Sequence, residues 1–341
     1  MKLRSPRTYR ISVFTITSVL LVTSVGAILA SPLSSSAATK KKHEVTTLRY
    51  EPFPTILNFP ELAQSLGYLK GLTLVDEGED QNGPQEIEAL AAGDLDFAAS
   101  FNGGILAAIG AGVPIKSVID YLGDNGLAAG GIYVPTNSPI TSAAQLVGKS
   151  LAYTPGTLAG STVDTYLLNN SINPSQVNTV SLSGLSEIAA LSQGTVDAGY
   201  LVGTAIAQAN SQTSLRPLVS ESSLYGNIGT CGLVFTNAFI KKNPDTVKTF
   251  VTGVAKAIVW AQAHTTSQVI AQYTKWLNAH ARTSDATAFQ FWLADGLSKK
   301  GGLISPADFR VFSTWLVRTG GLKQNQVKIA NAYTNKFNPY G

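Results

Sequence analysis

PQEIEALAAGDLDFAASFNGG, residues 84–104, changes periodicity twice. Residues 84–92 carry a helical pattern, and residues 95–98 form a short apolar run with the look of a strand. Asp94 and Asp96 flank Leu95. Two carboxylates this close can suggest acid–base chemistry, but at a helix-to-strand turn they read as turn and capping groups. Ser100-Phe101-Asn102-Gly103-Gly104 then follows the strand and opens a further helix, 104–110. Helix, strand and helix in so short a span is the alternation of an α/β fold.

The same alternation extends in both directions. Strands are expected at 46–50, 72–76, 95–98, 115–121, 131–135, 150–153, 179–182, 196–200 and 233–236. Helices are expected at 60–69, 84–92, 104–110, 161–169, 185–193 and 204–208. This order predicts largely parallel sheets. The last third reads as helical. Asn243-Pro244 and Ser305-Pro306 have the form of a cap followed by a proline in the first turn. Val247, Phe250, Val251, Val254 and Ile258 share one helix face. Trp276, Phe289, Phe291, Trp292 and Trp315 read as helix-packing core. The chain shows no internal repeat and, beyond residue 44, no low-complexity block.

The chain has 341 residues, which at ~150 per domain suggests two domains. Its formal charge is +4, a value that could point to nucleic acid. The distribution of charge argues otherwise. Lys2, Arg4, Arg7 and Arg10 lie in residues 1–38, which contain no acid, and removing those four from 25 leaves 21 basic against 21 acidic residues. The basic start, the uncharged run 11–30 and the small residues 31–38 read as a secretory signal peptide. Cleavage after Ala38 or Ala30 fits. The 20-residue apolar run could also remain as a membrane anchor. Residues 39–44 form a polar tether, and the expected location is periplasmic or extracellular. A single Cys, Cys231, excludes an internal disulfide and a cysteine-rich zinc site.

Catalytic and nucleotide motifs are weak. Gly148-Lys149-Ser150 lacks the leading glycine of a phosphate loop, since Ala143 stands there, and it precedes a strand. Gly110-Ala111-Gly112 follows a helix rather than a strand, and there is no Gly-x-Ser-x-Gly elbow. His43, His264 and His280 lie away from strand ends. No catalytic residue, metal site or cofactor is expected, and binding is favoured over chemistry.

From Thr46 to about Thr252 the order of motifs resembles the substrate-binding proteins of ABC importers. The branch is that of the aliphatic sulfonate, taurine and nitrate binders, which share a superfamily with the thiamin-pyrimidine-precursor proteins. ELAQSLGYLKGLTLV (61–75), EIEALAAGDLDFAAS (86–100), GVPIKSV (112–118), SPITSAAQLVGKSLAYTPGT (138–157) and EIAALSQGTVDAGYL (187–201) carry the resemblance. It implies a two-lobed type II periplasmic-binding-protein fold with a hinge. Residues 45–134 and 232–341 would form one lobe and 135–231 the other. It also implies a small-molecule ligand in the cleft, an ABC permease as partner, no nucleic acid, a monomer, and membrane contact only through the permease or an uncleaved N-terminus.

Ligands of open α/β sheets bind where strands give way to helices, and helix N-termini offer unsatisfied donors and partial positive charge. The junctions that qualify supply Phe53, Ser100, Asn102, Gly103, Thr154, Gly156, Thr157, Ser161, Thr162 and Tyr200 as ligand-binding candidates. Ser161/Thr162 and Asn102/Gly103 match positions where the family places its ligand. Arg49 is the nearest basic candidate for an anion. Some features depart from the family. A Trp and Pro expected after the second Asp-Ala element are missing from LVGTAIAQA (201–209), and EGEDQNGPQ (77–85) is unusually acidic. The expected ligand is a small organic molecule, anionic and sulfonate-, nitrate- or taurine-like, with a neutral one left open. The alternatives are an exported pyrimidine-precursor-type protein or enzyme on the same scaffold, and an extracytoplasmic sensor.

Overall fold

The computed structural model describes residues 44–54, 56–78, 82–126, 130–182 and 184–341. The expected signal segment 1–38, and the tether up to residue 43, lie outside the described residues. Strand β1 (Thr47–Tyr50), helix α1 (Phe59–Ser65) and strand β2 (Thr73–Asp76) come first. Helix α2 (Gly83–Ala92) follows and stops at Gly93, whose left-handed φ of +87° lets its N–H turn back on the Ala89 and Leu90 carbonyls. Next come β3 (Ala98–Phe101), α3 (Asn102–Gly110), β4 (Ile115–Asp124) and β5 (Gly131–Pro135). Strand β6 (Ser150–Ala152), α4 (Leu158–Asn169), β7 (Asn178–Val180), α5 (Leu185–Ser192), β8 (Ala198–Leu201) and α6 (Thr204–Gln212) continue the alternation. The chain then runs through β9 (Leu215–Ser220), α7 (Glu221–Tyr225) and β10 (Ile228–Thr236) into the helices of the last third. These are α8 (Asn237–Lys242), α9 (Pro244–Ala263), α10 (Thr266–Ala279), α11 (Thr283–Ala288), α12 (Pro306–Arg318) and α13 (Ile329–Ala332).

The strands form three sheets, ordered β1-β2, β3-β10-β4 and β7-β6-β8-β5-β9. The α/β reading holds, but the sheets are mixed rather than largely parallel. β1–β2, β6–β7 and β6–β8 are parallel, while β10 runs antiparallel to β3 and β4, and β5 to β8 and β9. The cause is that β5 and β10 insert between strands of opposite sense.

Two boundaries moved for identifiable reasons. Strand β3 lies three residues later than the apolar run 95–98, so Ser100 and Phe101 end a strand instead of opening a helix. Strand β10 begins at Ile228, although Gly229 and Gly232 look like breakers in sequence. Here a side chain is forbidden. A Cβ on Gly229 would sit 2.1 Å from Asp120 Oδ2, and one on Gly232 2.3 Å from Ser117 Oγ. β9 escaped the sequence reading because Pro217 interrupts it, and it is an edge strand, where proline is tolerated.

The expected face of α9 is buried, with Val247, Phe250, Val251, Val254 and Ile258 fully enclosed. Asn243 does not cap this helix through its side chain. Its Oδ1 accepts the Val45 N–H and ties the helix start to the chain before β1. Ser305 does cap α12, in a capping box with Asp308.

A buried charge cluster fastens these helices to the first strands. The Glu61 carboxylate on α1 accepts from Tyr50 Oη at 2.5 Å, from Tyr273 Oη, and from Arg282 Nη1 at 2.5 Å. Arg282 also holds Asp285 through Nε at 2.6 Å. Burial raises the Glu61 pKa, and Arg282 and the two tyrosines oppose that rise. Removing one partner strands a buried charge, which costs about 3–5 kcal/mol. Arg282→Met is therefore expected to lower the urea midpoint by that amount of stability with an unchanged m-value, and a loss below about 1 kcal/mol would show that water replaces the guanidinium.

Candidate ligand-binding site

Two aspartates set the geometry. The Asp96 N–H donates to the Arg49 carbonyl at 3.0 Å, and its carboxylate accepts the Arg49 backbone N–H at 2.9 Å. In the later motif the Asp197 N–H donates to the Ser150 carbonyl at 3.0 Å, and its carboxylate accepts the Ser150 N–H and hydroxyl, each at 2.8 Å. Burial alone would raise the Asp197 pKa. The Ser150 donors, with Lys149 at 3.7 Å, outweigh it and hold the group below the usual range. Each aspartate thus clasps a neighbouring strand just before β3 or β8 begins. The same clasp occupies Arg49, whose guanidinium bonds Asp96 and the Gly93 carbonyl. Arg49 is not among the residues around the cavity described next, so it is corrected from anion ligand to strand fastener.

The strands leaving these clasps end on a cavity of about 140 Å3. Ala99, Ser100 and Phe101 of β3, Tyr121 and Leu122 of β4, Tyr200 of β8 and Cys231 of β10 form its floor. Helix beginnings close the sides, with Gly83 and Pro84 of α2, Leu158 and Ala159 of α4, and Gly184 and Glu187 at the start of α5. Gly83 approaches so closely that a Cβ on it would lie 2.6 Å from Ser100 Oγ. Helices α4, α5 and α6, which begin beside the cavity, carry no side-chain cap, and in α6 the Ala205 N–H donates to the Val202 carbonyl at 3.3 Å. Ser100 is 3% exposed, and its buried hydroxyl has no partner among the described residues.

Of the residues expected from sequence, Phe53, Ser100, Thr154, Thr157 and Tyr200 reach the cavity wall. Their polar atoms differ in availability. Thr154 Oγ1 is bound to the Leu182 carbonyl, Thr157 Oγ1 to the Thr154 carbonyl, and Tyr200 Oη donates to Glu221 at 2.8 Å. Asn102, Gly103, Gly156, Ser161 and Thr162 are not brought to the wall. Asn102 is fully buried and donates to the Gly229 and Asp308 carbonyls. Gly103 makes room for the Phe101 ring, and Gly156 turns the chain at a φ of +77°. Ser161 Oγ donates to the Leu158 carbonyl, and Thr162 Oγ1 lies 2.7 Å from Glu221 Oε1.

Sequence reading missed Phe101, Tyr121, Leu122, Leu182, Glu187 and Val202 as wall residues. Most carry no polar signal. Glu187 belongs to the quoted 187–201 motif but reads there as an ordinary first-turn acid. Burial raises its pKa to about 9, opposed by a hydrogen bond from the Gly184 N–H. Behind the wall, burial lifts Glu221 to about 7 against the hydroxyls of Thr162 and Tyr200. Cys231 is a buried free cysteine, and burial pushes its thiol well up.

A family profile described as NMT1/THI5 like matches residues 62–267, more than half of the chain. A Bacillus subtilis (strain 168) protein, provisionally named for binding aliphatic sulfonates, is 31% identical over 188 residues. The match covers 54% of this chain and 55% of that protein, so the chain spans about half the length of the curated relative it matches. Among solved structures, the alkanesulfonate-binding protein SsuA from Xanthomonas axonopodis pv. citri aligns with a TM-score of 0.65 at 19% identity, covering 86% of this chain and 99% of that one. The periplasmic nitrate-binding protein NrtA from Synechocystis PCC 6803 gives 0.68 at 14%, over 86% and 87%. The desulfurization enzyme DSZB gives 0.60 at 18%, over 86% and 97%. At these identities the structures speak for the fold alone, and one fold carries both binding and catalysis. The resemblance read from the motifs stands: the chain belongs to the NMT1/THI5-like family, on the type II periplasmic-binding-protein fold.

Proposed function

We propose that this protein is an extracytoplasmic solute receptor that captures a small organic molecule and presents it to an ABC permease. The observation that carries this reading is the cavity itself: a largely apolar wall, three uncapped helix beginnings and the buried, unpartnered Ser100 hydroxyl. Such a site suits an apolar body with one anionic or acceptor end, as in a sulfonate or carboxylate. At about 140 Å3 it is smaller than the ~300–1,000 Å3 pockets of drug-sized ligands. Residues 45–134 with 232–341, and 135–231, are the proposed lobes, closing on the ligand by a hinge. The related sulfonate- and nitrate-binding proteins support the class of ligand.

The enzymatic alternative draws on the shared fold of DSZB and on a cysteine in the cavity wall. A reactive cysteine needs a stabilised thiolate. Burial here favours the neutral thiol, which supports a receptor.

A thermal-shift panel of sulfonates, carboxylates and nitrate tests the reading. A true ligand at a hundredfold excess over its Kd is expected to stabilise the protein by about 2.7 kcal/mol and to reduce the radius of gyration in solution scattering. Silence across the panel would remove the receptor reading. Ser100→Ala is expected to weaken binding of the responding ligand by about tenfold to a hundredfold while leaving the melting temperature of the free protein nearly unchanged.

The two buried acids make stability depend on pH. Each binds its proton more tightly when folded than when unfolded, so each contributes stability below about pH 4.5 that is lost as pH rises, through about 7 for Glu221 and about 9 for Glu187. Glu187→Gln is expected to flatten the fall in melting temperature at the alkaline end of that window. An unchanged slope would place the proton elsewhere.

A further inference from the structure

Among the described residues, the cavity wall holds one carboxyl group and no lysine, arginine or histidine. That carboxyl belongs to Glu187, the third residue of α5, which is only 5% exposed. Burial and the Gly184 N–H are the influences on it, with no charged neighbour among them. Capping explains the position but not the acid. A glutamine at the third helical residue reaches back to the cap N–H equally well. Helix α2, which opens on the same cavity, also carries an acid in its first turn, Glu86, but that carboxylate accepts the Ala99 N–H at 3.0 Å and is not part of the cavity wall. A desolvated acid without a cation is costly, and the structure keeps one here in a wall that also includes Phe53, Phe101, Tyr121 and Tyr200. Aromatic faces and a carboxyl in a dry pocket are the chemistry that receives an ammonium group.

Resting on the receptor reading, we propose that Glu187 is the counter-ion for a positively charged nitrogen of the ligand. The ligand is then a small amine whose opposite end, anionic or acceptor in character, lies against Ser100 and the uncapped helix beginnings. Without a counter-ion, burial keeps the Glu187 carboxyl protonated at neutral pH. An incoming ammonium stabilises the carboxylate in place of that proton, which passes to the buffer. Charge balances, with no covalent bond made or broken in the ligand.

Isothermal titration calorimetry at neutral pH with two matched pairs tests this, using taurine against ethanesulfonate and β-alanine against propionate. In at least one pair the amine is expected to bind about tenfold to a hundredfold more tightly. Its apparent enthalpy should vary with the ionisation enthalpy of the buffer, reporting the released proton. Glu187→Gln keeps the capping geometry, so circular dichroism should show a folded protein. It is expected to abolish both the preference for the amine and the proton release. Equal affinities within both pairs, no measurable binding of either amine, or a preference that survives in Glu187→Gln would overturn the assignment. The receptor reading is separable, because equal affinities within a pair leave it standing and only silence across the broad panel removes it.

Discussion

The placement of the cavity depends on one repeated interaction, an aspartate that both donates to and accepts from the backbone of a single residue on an adjacent strand. Asp96 does this to Arg49 and Asp197 to Ser150. The two-point clasp fixes register and direction where the chain changes from helix to strand. A slip of one residue would exchange the faces of β3 and β8 and turn Ser100 and Tyr200 away from the site. The glycines ahead of each aspartate, Gly93 and Gly194, have positive φ and end the preceding helices abruptly enough for the clasp to form. A short sequence pattern thus becomes a rigid mount for a functional strand end.

Much of this was legible in the residues. Alternating periodicity points to the α/β class, but Asp96 reads in sequence as a turn or capping group, and the clasps of Asp96 on Arg49 and Asp197 on Ser150 show only in three dimensions. Antiparallel insertion of β5 and β10 was not legible, because strand direction leaves no mark on composition. Nor was the length of β10, since its glycines answer to Asp120 and Ser117 from β4, a contact set by tertiary packing. Of the side chains named from the strand-to-helix junctions, half reach the wall of the candidate cavity. Ser161 and Thr162 look like ligand hydroxyls in sequence. Helix geometry turns them back onto the Leu158 carbonyl, and Glu221 takes the second of them.

The electrostatics of the site follow from composition in a way that bulk charge does not reveal. After the basic start the chain is formally neutral. Among the described residues its candidate cavity has no cationic side chain in the wall. Arg49 and Arg282, which could have served an anion, are both committed to carboxylates that hold the scaffold together. Arg49 and Arg282 thus stabilise the frame.

The position of Cys231 gives the molecule a built-in reporter. It is the single thiol of the chain, and it lies in the wall of the candidate cavity. Whatever fills the cavity shields it from an alkylating reagent. Because burial also suppresses thiolate formation, the labelling rate at a fixed pH follows how often the cavity opens to water. Mass spectrometry of the unmodified protein can therefore read opening and occupancy together, without any engineered label.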